Sequence, residues 1–188
     1  MASLIAVSGY AGSGKDEVIR TLTQMGFARM AWATPVSEVV GYIYNLSPSR
    51  LEGLEPGDRV WREQALSELG GASPRQALQC IGQAAREVYP KCWVDLWEAE
   101  YCREFQQHPV AVSGTRYLNE VEAIRFYQGD VWFIDRPGVT ATDHYSESGE
   151  LHLIREQADV IIHNTGSKLD LEAMVRALAL PKLKSNSL

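Results

Sequence analysis

Short, nearly all-apolar runs alternate along the chain with stretches whose apolar positions recur at helical spacing. The first run, Leu4 to Ser8 (LIAVS), is followed at once by glycines, which predicts a central parallel strand entering a tight turn. A helix is expected to start near Lys15, to continue through Val18, Ile19 and Leu22, and to end around Met25 and Gly26. Phe27 to Ala33 reads as a weakly written second strand. Pro35 then resets the chain, and Val36, Val39, Val40 and Ile43 have helical spacing.

Between Ser47 and Ser73 the texture changes. Pro48, Gly53, Pro56, Gly57, Gly70 and Gly71 crowd together with charges of both signs, which predicts loop plus a short helix through Trp61 to Leu69, exposed above the sheet. Such a segment is expected to act as a mobile lid or substrate-binding insertion. Ser73-Pro74 is a helix entry, Ser as cap and Pro in the first turn, and the helix should run from Arg75 to about Val88. Leu78, Ile81 and Ala85 face one way on it, while Arg75, Gln79 and Arg86 can offer a polar, cationic stripe.

Trp93 to Glu104 reads as another helix and Val110 to Ser113 (VAVS) as the next core strand. Asn119 to Phe126 is helical, Val131 to Ile134 (VWFI) a strand, Gly149 to Gln157 a helix, and Val160 to His163 (VIIH) the last strand before a helix from Leu169 to about Leu180. This alternation implies an α/β fold, a mostly parallel sheet with helices on both faces and ligands at the carboxyl ends of its strands. One domain is expected over residues 1–180, and 181–188 as a flexible tail.

Composition narrows the class. The 188 residues suffice for one full-sized core, and 45% apolar with 22% charged residues is ordinary for a globular protein. No apolar run reaches the roughly 18 to 20 residues needed to span a bilayer, and MASLIAVSG has no basic leader, so no membrane partner and a cytoplasmic location are expected, the host cytoplasm if the chain is phage-encoded. A net charge of −6 gives no footprint for a nucleic acid polymer, whereas a small nucleotide can still be held by local Arg and Lys. Cys80, Cys92 and Cys102 form no CxxC pair and read as reduced thiols. Homodimer formation stays open.

The chemistry starts at Gly9-Tyr10-Ala11-Gly12-Ser13-Gly14-Lys15, which satisfies GxxxxGK between the first strand and the first helix. Gly9, Ala11, Gly12, Ser13 and Gly14 would let the chain wrap the phosphates of ATP, with successive N–H groups and the helix N-terminus supplying positive potential. Lys15 would reach the β and γ phosphates. Asp16 stands where Ser or Thr usually coordinates Mg²⁺, and a carboxylate is itself a good hard-oxygen ligand for that ion. Glu17 could contribute, although an acid in a first turn is already favoured by the helix N-terminus.

Further segments follow in order: Ser73-Pro-Arg-Gln-Ala-Leu-Gln-Cys-Ile-Gly82 with Trp93 downstream, Arg116-Tyr-Leu-Asn-Glu120, and His144-Tyr-Ser-Glu147 ahead of VIIHNTG. Together with GSGKDE they resemble the phage-type deoxynucleoside monophosphate kinases, along nearly the whole chain. The resemblance implies a P-loop NTPase fold of the nucleoside monophosphate kinase-like kind with a parallel five-stranded sheet, ATP and Mg²⁺ as cofactors, and phosphoryl transfer from ATP to deoxynucleoside 5′-monophosphates.

Phosphoryl transfer needs chiefly alignment and cationic stabilisation, and Lys15, Arg116 and Arg136 are the expected catalytic cations. Arg75 and Gln79, one turn apart, are expected to hold the acceptor phosphate or base, and Arg116 to contact phosphate with Asn119 and Glu120 orienting it. Asn119 and Glu120 are equally well a helix cap and a first-turn acid. Trp93 is a stacking surface for the base, or a core aromatic. Glu147 would accept from the sugar or base, or pair with an arginine. Arg136 would serve the donor phosphates or lid closure.

One departure stands out. The family resembled has Asp after the central strand in a segment like DVR, but here the segment is Gly114-Thr115-Arg116. The alternatives that remain open are a P-loop kinase of another small phosphorylated metabolite and a non-enzymatic nucleotide-binding switch; no NKxD-like guanine-reading segment favours the latter.

Overall fold

The computed structural model describes residues 3–55, 57–139 and 149–184. The chain divides into two compact units, one formed by Met1–Ala31 with Glu98–Leu188 and the other by Trp32–Trp97. The second is wider than the 47–73 insertion expected from composition.

The first unit is an α/β layer. Its strands are β1 (Leu4–Ser8), β2 (Ala28–Ala31), β3 (Val110–Thr115), β4 (Asp130–Asp135) and β5 (Val160–His163). They form one five-stranded sheet in the order β2-β3-β1-β4-β5, every pairing parallel. All of β1 is buried, as befits a strand covered on both faces. Helix α1 (Lys15–Gln24) follows β1, and Val18, Ile19 and Leu22 pack with Ile5, Val7, Trp132 and Ile134 in the main core. The central β1 lies where the connections diverge to opposite sides, so its carboxyl end is the crevice in which doubly wound sheets bind ligands.

Between β1 and β3 the register slips: Val7 faces Ser113, but Ser8 faces Thr115. Gly114 is the extra residue, at φ 81°, a left-handed conformation that glycine adopts without strain. The acid missing after the central strand is therefore replaced by a bulge, closed by Ser8 Oγ donating to Thr115 O (2.8 Å).

In the second unit α2 (Thr34–Tyr44) and α5 (Pro74–Val88) flank two short helices, α3 (Pro48–Glu52) and α4 (Asp58–Glu63). The helix expected over Trp61 to Leu69 is instead α4, ending at Glu63, and a separate 3₁₀ turn over Ser67–Leu69. Tertiary contacts set those limits: Arg50 lies over the Trp61 ring (4.1 Å) and faces buried Asp58 (3.5 Å), while Leu51 is fully buried with Val36, Val40 and Trp93. Helix α5 starts as the sequence predicts. Ser73 Oγ accepts from Gln76 N–H (3.3 Å) and Ser73 N–H donates to Gln76 Oε1 (2.8 Å).

Helix α6 (Cys92–Glu100) gives way to a π-helical turn at Tyr101–Phe105 where a continuous helix was expected. Helices α7 (Leu118–Phe126) and α8 (Leu151–Glu156) precede β4 and β5. The last, α9 (Lys168–Lys184), runs through Pro181, so the chain does not become a tail at that proline. Ser3 Oγ donates to Lys182 O (2.6 Å) and Lys182 pairs with Asp130, fastening the final turn to the sheet. None of the described helices is long and apolar enough to cross a membrane.

Candidate functional site

The loop between β1 and α1 is shaped by backbone that only glycine tolerates. Gly9 has φ 138°, and a Cβ there would lie 2.5 Å from Ile134 O and 2.8 Å from Ser13 Oγ. Gly9→Ala should therefore destabilise the protein by about 2 to 4 kcal/mol, combining backbone strain with overpacking against a main-chain oxygen. Urea denaturation would check this, and an unchanged midpoint would contradict the close approach.

Gly14 caps α1 at φ 106° with no side-chain cap bond, so no Ser or Asp side chain occupies the helix N-terminus that faces the loop. Lys15 Nζ donates to Gly9 O (2.6 Å) and Tyr10 O (2.5 Å), which folds its ammonium over the loop. Ser13 is 1% exposed and its Oγ has no hydrogen-bond partner among the described residues. From beyond β5, Asn164 Nδ2 donates to Ser13 O (2.8 Å). Arg136 Nη1 reaches Gly12 O at 3.5 Å, the outer limit of a hydrogen bond.

Asp16 is exposed in the first turn of α1. Glu17 is paired with Arg20, whose hydrogen bond holds the Glu17 carboxyl below its ordinary range. Asp135, at the end of β4, accepts from Arg155 Nη2 (2.8 Å) and lies 3.6 Å from His163 Nδ1. The same hydrogen bond raises the pKa of Arg155.

Arg116 is exposed just after β3. Glu120, 2% exposed, accepts from the backbone N–H groups of Arg116 (2.7 Å) and Tyr117 (3.2 Å), so its carboxylate fixes the turn that presents Arg116. Asn119 lies beside it in the first turn of α7.

In the Trp32–Trp97 unit, Arg75 and Gln79 lie one turn apart on α5, and Arg75 Nε is 2.5 Å from Glu63 Oε1. Trp93 is a core residue there: it is 5% exposed and its indole N–H donates to Gly82 O (2.9 Å). The stacking surface expected of it is thus covered by its own unit, because the ring completes the apolar cluster around Leu51. Glu147 lies outside the described residues.

No protein-family model matches the chain. A protein of Acanthamoeba polyphaga mimivirus that carries the provisional name deoxynucleotide monophosphate kinase is 26% identical over 179 residues, covering 86% of this chain and 88% of that protein. That name is the one the sequence segments resemble. Among solved structures, the dephospho-CoA kinase of Campylobacter jejuni superposes with a TM-score of 0.51 at 15% identity, over 97% of this chain and 98% of that one. The protein TT1252 of Thermus thermophilus gives a TM-score of 0.53 at 17% identity, over 96% of this chain and 97% of that one.

The fold is that of the P-loop kinases.

In a P-loop kinase fold the ion expected beside the triphosphate is Mg²⁺, which keeps several waters and takes one or two carboxylates plus phosphate oxygens. Among the described residues no group of three or more His, Cys, Asp or Glu forms a metal cage, but exposed Asp16 beside Lys15 meets this smaller demand. Asn164 and Arg155 are the polar residues near the loop that sequence reasoning missed. For Asn164, its place at the carboxyl end of a parallel strand was the available signal.

Proposed function

We propose that the protein transfers the γ-phosphoryl group of ATP to deoxynucleoside 5′-monophosphates, giving ADP and deoxynucleoside diphosphates. The observation that carries the reading is the glycine loop at the end of β1, where Lys15, the amides of α1 and the close approach of Gly9 to β4 shape a cradle for phosphates. The identity of the acceptor is supported by the name of the mimivirus relative and by the order of the segments along the chain.

In this reading an acceptor phosphate oxygen attacks the γ-phosphorus, and the bond from that phosphorus to the β–γ bridging oxygen breaks, leaving ADP. Lys15 leaves Gly9 O and Tyr10 O to follow the β and γ oxygens, while Arg116 and Arg136 supply charge where it accumulates on the transferring group. Asp16 would hold Mg²⁺ directly or through water, and the ion would supply charge neutralisation to the phosphates. On the second unit Arg75 and Gln79 bind the acceptor phosphate or base, Arg75 exchanging Glu63 for the phosphate. ATP and deoxynucleoside monophosphates are then the partners, in keeping with an acidic net charge of −6.

A panel of the four deoxynucleoside monophosphates, with ATP and Mg²⁺ in a coupled ADP assay, tests the proposal. Acceptor-dependent ADP formation with at least one of them is expected. Turnover that needs no acceptor, or that responds only to a different phosphorylated metabolite, would contradict it.

A further inference from the structure

We infer that Asn164 is a positioning residue of the phosphate loop, fixing the Ser13–Gly14 peptide so that the Gly14 N–H is turned toward the nucleotide. This rests on the reading of Gly9 to Lys15 as a triphosphate cradle. Asn164 directly follows β5, and its backbone N–H donates to Asp135 O (2.7 Å), which continues the β4–β5 pairing one residue further and fixes the residue's origin. The residue is 6% exposed, and its Nδ2 donates to Ser13 O at 2.8 Å. The amide has little room to swing. A Cβ on Gly14 would lie 2.7 Å from Nδ2 and 3.2 Å from Leu171 Cδ2.

The orientation follows from the peptide itself. A trans peptide is planar, with its C=O and N–H pointing in opposite directions. With the Ser13 carbonyl tied to Asn164, the Gly14 N–H must point away from Asn164, toward the open side of the loop. Two further side chains on loop carbonyls differ in kind. Lys15 must exchange Gly9 O and Tyr10 O for phosphate oxygens, and Arg136 touches Gly12 O only at 3.5 Å. Asn164 is uncharged and buried, so its bond persists while nucleotide binds, and a donor already in place costs no reorganisation. The same contact gives a second reason for glycine at position 14, besides its φ of 106°.

Asn164→Asp keeps the shape but places an oxygen against Ser13 O; Asn164→Ala removes the donor without burying a charge. ADP affinity by calorimetry, KM for ATP and for the acceptor, and folding by circular dichroism are the readouts. Both variants should fold and bind ADP about tenfold more weakly, the worth of one buried hydrogen bond, with Asp at least as weak as Ala. KM for ATP should rise in parallel while KM for the acceptor stays within about twofold, a split that a purely structural role would not produce. Folded variants with native ADP affinity, equal rises in both KM values, or an Ala variant that does not fold would each overturn the assignment. A native protein that fails to bind ADP would instead bring down the cradle reading itself.

Discussion

Replacing Lys15 with Ala is expected to lower turnover by about 10²- to 10³-fold while the protein remains folded. In a loose transition state the equatorial oxygens of the transferring phosphoryl group carry the charge, and a preorganised cation there acts far more strongly than in water. The loop geometry brings Lys15 directly over the loop's own carbonyls, at 2.6 and 2.5 Å, which places its ammonium at the proposed phosphate cradle. Losing those two hydrogen bonds should cost about 1 to 2 kcal/mol of stability, well short of what unfolds a domain. Steady-state kinetics beside thermal unfolding separates the two effects. Activity within about tenfold of native in the folded variant would overturn the P-loop mechanism.

The second large effect is expected at Asp16. Asp16→Ala should lower turnover roughly ten- to hundredfold and raise the Mg²⁺ concentration needed for half-maximal rate, since it removes the one exposed carboxylate in the loop's first helical turn. Its stability should change by only about 0.3 to 1 kcal/mol, the worth of an acid at a helix N-terminus. Asp135→Ala should do less to the metal dependence, because that carboxylate is engaged with Arg155 at 2.8 Å and faces His163. Mg²⁺ titrations of both variants decide between them. Unchanged kinetics for Asp16→Ala would remove the assignment, and a larger effect at Asp135 would reverse it.

What was legible in the sequence was whatever local pattern determines. The LIAVS run, the glycines after it and the Ser73-Pro74 entry define β1, the loop and the start of α5 without help from distant residues. What was not legible depended on contacts far along the chain. Helix α4 ends early in a segment where Trp61 meets Arg50 and Leu51 is buried; α9 continues through Pro181 because Ser3 and Asp130 hold its last turn.

The site divides in the same way. Residues 9–15 announce themselves by spacing, whereas Gly114 showed only that an acid was missing, and the slip between Val7/Ser8 and Ser113/Thr115 shows the backbone reason. Trp93 is an aromatic on a helix, a description that fits a base platform and a core residue equally until Gly82 O is found on its indole N–H. Glu120 was legible as a first-turn acid, but its hold on the Arg116 backbone required the turn's geometry. For Asn164 the carboxyl end of a strand marked the ligand edge of the sheet, but not that its side chain turns to Ser13 O.

The central claim is transfer from ATP to a deoxynucleoside monophosphate, and following a labelled γ-phosphoryl group tests it most directly. In a single turnover with enzyme in excess over labelled ATP, the label should appear in the deoxynucleoside diphosphate at the rate at which ADP forms, and the Lys15→Ala protein should be silent on that timescale. Label found only as inorganic phosphate, at a rate indifferent to the acceptor, would contradict the account.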